Sequence, residues 1–83
     1  MNLLTAEFIQ RKSILKSQPV PGDGVQAPGY VTLRQWATDQ WAIHFYNAQD
    51  GGFHNGRYFN NLADAEVDFT DRVTEYAPLR ALA

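Results

Sequence analysis

The sequence contains no cysteine. That absence removes a disulfide framework, a thiolate zinc site and a cysteine nucleophile together, and it fits a reducing compartment. No apolar run approaches the ~20 residues that a membrane-spanning helix needs. Residues 1–9 lack a basic start, and their apolar character stops at Gln10-Arg11-Lys12, so no secretory leader is expected. A cytoplasmic location with no membrane partner is the resulting expectation. An excess of one charge is scarce as well. The formal net charge of −2 points neither to a general polyanion binder nor to a membrane-surface protein.

What is present is enough for one domain and not two: 83 residues, 45% of them hydrophobic and 13% aromatic. A chain this short buries about 60–65% of the surface its unfolded form exposes, so its core must be compact. The charges are unevenly spread along it. Residues 62–76 hold Asp64, Glu66, Asp68, Asp71 and Glu75 against Arg72, whereas residues 1–34 hold Arg11, Lys12, Lys16 and Arg34 against Glu7 and Asp23.

The pattern predicts an α+β domain, a three-stranded antiparallel meander covered by a C-terminal amphipathic helix, with an N-terminal helix or arm. Residues 1–18 read as that helix or arm, with Thr5 as its cap, Leu4, Phe8 and Leu15 near helical spacing and Ile14 beside them; a short strand over 3–9 is the competing reading. Residues 19–29 carry Pro19, Pro21, Gly22, Gly24, Pro28 and Gly29 and read as a linker or surface loop. Residues 30–83 then form the strand–strand–strand–helix unit. Alternation predicts strands over 30–36, 41–47 and 53–59, with Asp50-Gly51 a hairpin signal. Gly56 marks a bulge or a crossing side chain. Asn60 or Asn61 should cap the last helix, whose stripe is Leu62, Ala65, Phe69, Val73 and Tyr76, and Pro78 should end it.

Two surfaces stand out. Asp64, Asp68, Asp71 and Glu75 recur at steps of four, three and four, lining one side of the last helix. Like charges so spaced repel by a few tenths of a kcal/mol per pair. The stripe is either a solvated outer face or a docking face for a protein with a basic surface. The other surface is a sheet face. Tyr30, Thr32, Arg34 and Trp36 share one side of the first strand; His44 and Tyr46 share one side of the second. Depending on hairpin register, either Phe53, Arg57 and Phe59 or His54 and Tyr58 join them. Aromatics with arginine dominate protein-binding hot spots and also stack bases, or the N-terminal segment folds over this face and buries it.

Chemistry finds little support. His44 and His54 have Asp50 as their sole third candidate ligand, too few for a zinc site; no metal and no cofactor are expected. Ser13 and Ser17 have no neighbouring histidine and no nucleophile elbow. Gly22-Asp23-Gly24 and Asp50-Gly51-Gly52 lack the lysine of a phosphate loop. The chain reads as a non-enzyme.

The run Gln49-Asp50-Gly51-Gly52-Phe53-His54-Asn55-Gly56-Arg57-Tyr58-Phe59, followed by Leu62-Ala63-Asp64-Ala65 and Asp68-Phe69-Thr70-Asp71-Arg72, resembles small accessory proteins of phages, plasmids and other mobile elements. Anti-CRISPR and anti-restriction proteins belong to that group. The resemblance covers about half the chain, over 30–73, and implies a small acidic inhibitor that occludes a functional surface of a host defence complex. A single-stranded nucleic-acid binder using the sheet face is the alternative, though a net charge of −2 makes nucleic acid an unfavoured partner. A structural homodimer subunit is the third reading.

Overall fold

The computed structural model describes residues 2–22 and 27–82, with the side chains of the last helix followed as far as Tyr76. It is an α+β domain with four strands rather than three. The order of elements is α1 (Ala6–Arg11), β1 (Ile14–Val20), β2 (Gly29–Ala37), β3 (Gln40–Asn47), β4 (Gly52–Phe59) and α2 (Leu62–Leu82). The strands form one antiparallel meander in the order β1-β2-β3-β4.

The added strand corrects the reading of residues 1–29. The N-terminal helix is only six residues long; Thr5 caps it as expected, its Oγ1 accepting from the Phe8 N–H at 3.1 Å. It stops because Ser13 takes a left-handed backbone, φ 54°, a conformation that costs a non-glycine residue energy and does not propagate a helix. From Ile14 the chain is extended and pairs with β2, Ser17 opposite Thr32 and Val20 opposite Gly29. Ile14 and Val20 are buried at its two ends and the five residues between are exposed. Such a strand gives no alternating signal. Pro19, read as the start of a linker, lies inside β1, which is tolerated because β1 is an edge. Pro21 and Gly22 follow the strand; Asp23 and Gly24 lie outside the described residues.

The remaining strands fall within a residue or two of their predicted bounds. The β3–β4 turn is built as its Asp-Gly predicts: Asn47 Oδ1 accepts from Gln49 N–H at 2.7 Å, Gly51 takes φ 72°, and Asp50 Oδ1 accepts from Gly52 N–H at 2.7 Å.

One face of the sheet carries the aliphatic core. Val20, Val31, Leu33, Ile43 and Phe45 are buried there with Ala65 of α2, while Trp41, Phe59, Phe69, Val73 and Tyr76 pack around them. The predicted helical stripe therefore faces the sheet from Ala65 onward, with Leu62 more exposed at its start. Asn61 Oδ1 caps α2 by accepting from Asp64 N–H at 3.2 Å. Polar contacts fix the helix at both sheet edges. Lys16 of β1 pairs with Glu66 at 2.9 Å, Arg57 of β4 pairs with Asp68 at 2.8 Å, and buried Arg72 donates to the Asn55 carbonyl at 3.0 Å. The helix does not end at Pro78 but runs to Leu82. Proline's fixed φ lies in the helical region, so a helix can continue past it at the cost of one backbone hydrogen bond and a clash with the carbonyl four residues back.

Candidate functional site

On the opposite face of the sheet, side chains from β2, β3 and β4 alternate with the core residues. Tyr30, Thr32 and Arg34 of β2 oppose Tyr46, His44 and Ala42 of β3; Tyr46 and Ala42 in turn oppose Phe53 and Tyr58 of β4. Neither register of the β3–β4 hairpin considered from sequence is realised whole. A bulge at Asn55-Gly56 puts two residues of β4 against His44, with Asn55 at φ 56°. One extra residue flips the alternation, so Phe53 comes from one register and Tyr58 from the other. Gly56 is both of the things expected of it. It sits in the bulge, and a Cβ there would stand 2.7 Å from His44 Nε2 and 3.0 Å from the Tyr58 hydroxyl.

α1 lies across the half of this face nearest the β3–β4 turn. Phe8 packs on Tyr46 and stacks on Phe53, with ring centroids 5.4 and 6.1 Å apart, and Tyr46 meets Phe53 at a tilt with centroids 5.1 Å apart. Tyr46 is left 3% accessible. Burial raises its phenol pKa, with Tyr30 and Asp50 acting in the same direction. The covering expected from sequence is therefore real, but it stops at Arg34. The Arg34 Nε donates to the Lys12 carbonyl at 2.9 Å, and its guanidinium lies 4.7 Å from the Phe53 ring centre.

Beyond Arg34 the face is open. A cavity of about 380 Å³ is lined by Arg34, Trp36, Ala42, His44 and Tyr58. Ala42, 1% accessible, is its floor. Trp36 and Tyr58 meet edge to face at 6.1 Å and are 52% and 64% accessible. Two sheet irregularities flank the cleft: the Asn55-Gly56 bulge, and a second at Trp36, between the pairs Gln35–Trp41 and Ala37–Gln40. Bulges of this kind re-aim side chains. His44 is 7% accessible, its Nε2 lies 3.4 Å from the Tyr58 hydroxyl, and its Nδ1 is buried with no partner among the described residues. Burial, then the charges of Arg34 and Arg72, hold its pKa below the usual histidine value. Burial also lowers the Arg34 pKa, against a raising influence from Tyr58.

The acidic stripe is less uniform than its spacing suggests. Asp64, Asp71 and Glu75 are exposed, but the Asp68 side chain is 13% accessible and bonded to Arg57. Arg57 stands among the acids. Its pKa is raised by the Asp68 hydrogen bond first, then by the charges of Asp68, Glu75 and Asp71. Asp68 is thus part of the seam between α2 and β4 and not a freely presented charge.

Of the nine residues singled out as partner-contacting, Arg34, Trp36 and His44 line the open cleft. Tyr46 is covered by Phe8 of α1, and Tyr30 packs beside Tyr46 with ring centroids 6.2 Å apart. Tyr58 and Ala42 complete the site; the first depended on register and the second, a lone small residue, carried no signal. His44 and His54 stand on opposite faces, since His54 pairs with Phe45 and its ring meets Asp50 at 3.0 Å. No helix among the described residues is long and apolar enough to cross a membrane. Comparison with protein-family models, with characterised proteins and with solved structures finds no match to this chain.

Proposed function

We propose that this chain is a non-enzymatic protein-binding module. It would act as small mobile-element accessory proteins do, by sitting on the functional surface of a host protein, and the reading extends to an inhibitor of a host defence complex. Its contact surface is the cleft of Arg34, Trp36, Ala42, His44 and Tyr58. One observation carries this. In a domain that covers Tyr46 and Phe53 with its own helix, Trp36 and Tyr58 stay more than half accessible around a cavity floored by a small side chain. Exposed tryptophan and tyrosine beside arginine are the residue types that supply most interface energy.

The test is affinity capture from a lysate of the source organism with the full chain as bait. Binding of the purified partner is then measured for Trp36→Ala, Tyr58→Ala and the exposed pair Asp64→Lys with Asp71→Lys. The cleft variants should each weaken the complex about tenfold or more, the range of a central interface aromatic. Loss in the helix pair with full binding by both cleft variants would move the contact to the acidic side of α2.

A further inference from the structure

We propose that the occupant of the cleft is an acidic segment of a partner protein: an aromatic or aliphatic side chain seated over Ala42, with a neighbouring carboxylate on Arg34. This deepens the binding-module reading and rests on it. The acids of α2 and the cations nearest the cleft lie on opposite sides of the sheet. On the α2 side lie Asp64, Glu66, Asp68, Asp71 and Glu75; of these, Glu66 and Asp68 are paired to Lys16 and Arg57. On the cleft side the cations are Arg34, held at the rim by its bond to Lys12, and Arg11 and Lys12, whose charged groups lie 5.7 and 6.0 Å from the Phe8 ring centre. Among the described residues no ion pair engages Arg11, Lys12 or Arg34. No acidic side chain lines the cleft, and burial followed by the charges of Arg34 and Arg72 lowers the His44 pKa. Charged groups elsewhere near this face are Glu7 on α1, Asp39 in the β2–β3 turn and Asp50 beyond Tyr46.

Arg34 is therefore a partly buried guanidinium that, among the described residues, donates one hydrogen bond to the backbone and pairs with no carboxylate, at the end of an apolar slot. A carboxylate is the group that suits it, since guanidinium–carboxylate bonds are the strong, charge-assisted kind. The slot, at about 380 Å³, admits one large side chain and not an extended strand of bases. Binding of single-stranded nucleic acid uses a groove that follows the backbone with successive stacking platforms, whereas the two open rings here, Trp36 and Tyr58, meet edge to face across one slot.

The experiment uses the ¹⁵N-labelled full chain and four probes: blocked Asp-Phe-Asp, Gln-Phe-Gln and Lys-Phe-Lys tripeptides, and a short oligothymidylate. The readout is the indole N–H of Trp36, with that of Trp41, on the other face of the sheet, as internal control. The acidic tripeptide should shift Trp36 and not Trp41, binding several-fold tighter than the basic one, with the preference shrinking in salt. Arg34→Gln should erase the preference. Arg34→Lys keeps the charge but gives up the guanidinium bond to Lys12, so it should retain the preference in part; this separates charge from a loosened α1. If the neutral or basic tripeptide shifts Trp36 equally well, the acidic-segment inference fails and the binding-module reading stands. If no probe shifts Trp36, the acidic-segment inference fails and the binding-module reading is left to the capture experiment; if only the oligothymidylate shifts it, both fail.

Discussion

Along β2 and β3, residues pointing toward α2 and residues pointing away follow different chemistry. Val31, Leu33, Ile43 and Phe45 face the helix and are closed over completely; Tyr30, Thr32, Arg34, His44 and Tyr46 face the other way, under a helix of six residues that reaches only half of them. The same strands thus make one finished face and one partly finished. A long amphipathic helix can cover a whole sheet face. A helix stopped after Arg11 by the left-handed Ser13 cannot. The difference teaches that the open cleft is a consequence of where α1 ends, with two bulges aiming Trp36 and Tyr58 into the space it leaves.

The largest expected effect lies on the finished face. Leu33, 1% accessible at its centre, should cost roughly 2–5 kcal/mol when cut to alanine, by lost transfer energy and the cavity left behind. Domains of ordinary stability hold about 5–15 kcal/mol in total, so Leu33→Ala should unfold at a much lower urea concentration. An unchanged midpoint would show that this face is not the core.

Next comes the seam between α2 and β4. Asp68→Lys brings a second cation to Arg57 at a side chain only 13% accessible, so the urea midpoint should fall clearly. Asp64→Lys, exposed on the same helix, should stay within about 0.5 kcal/mol of the parent, as surface substitutions do. Equal behaviour of the two would mean that the stripe is uniform after all and that the Arg57 contact does no structural work.

That pair of variants also marks what sequence could and could not supply. The steps of four, three and four put the acids on one side of α2 correctly. Which of them met a cation depended on Arg57, eleven residues before Asp68, and so on the register of β4. Register was illegible because the Asn55-Gly56 bulge changes the alternation midway. The apolar stripe of α2 and the two hairpins were legible, since each follows from local periodicity; which sheet face the stripe covers was not. β1 was not, because its anchors Ile14 and Val20 lie at its ends with polar residues and a proline between. Its pairing is set by β2 and not by its own pattern. The cleft was half legible: Arg34, Trp36 and His44 came from alternation, and Tyr58 needed the bulge.

On the open face the expected stability effects are smaller. Trp36→Ala and Tyr58→Ala remove rings already more than half in water, in an edge-to-face contact of a kind worth about 0.5–1.5 kcal/mol. Each variant should unfold with a midpoint close to the parent's, and their double-mutant cycle should return a coupling of that size. A loss approaching that of Leu33→Ala would make these residues core, and the comparison between the two faces would fail.

The smallest expected effect is a slope with pH, and it comes from His44. This ring is almost wholly buried on the open face, and burial together with Arg34 and Arg72 holds its folded pKa below the ordinary value. Above about 6.5, the ordinary histidine pKa, the ring is neutral in both states and contributes no slope. As pH falls through 6.5 the unfolded chain takes up the proton first, while the folded chain resists until its lower pKa is reached. The unfolded state then binds more protons, so stability rises with pH across that window and is lost on acidification. Below the folded pKa both states are charged and the loss stops growing. Urea midpoints should therefore be level from mildly alkaline to neutral pH and drop below it. His44→Gln should flatten the drop, since glutamine does not titrate. A drop that persists at full size in His44→Gln would show that the titrating group lies elsewhere and that burial in the cleft does not resist protonation of His44.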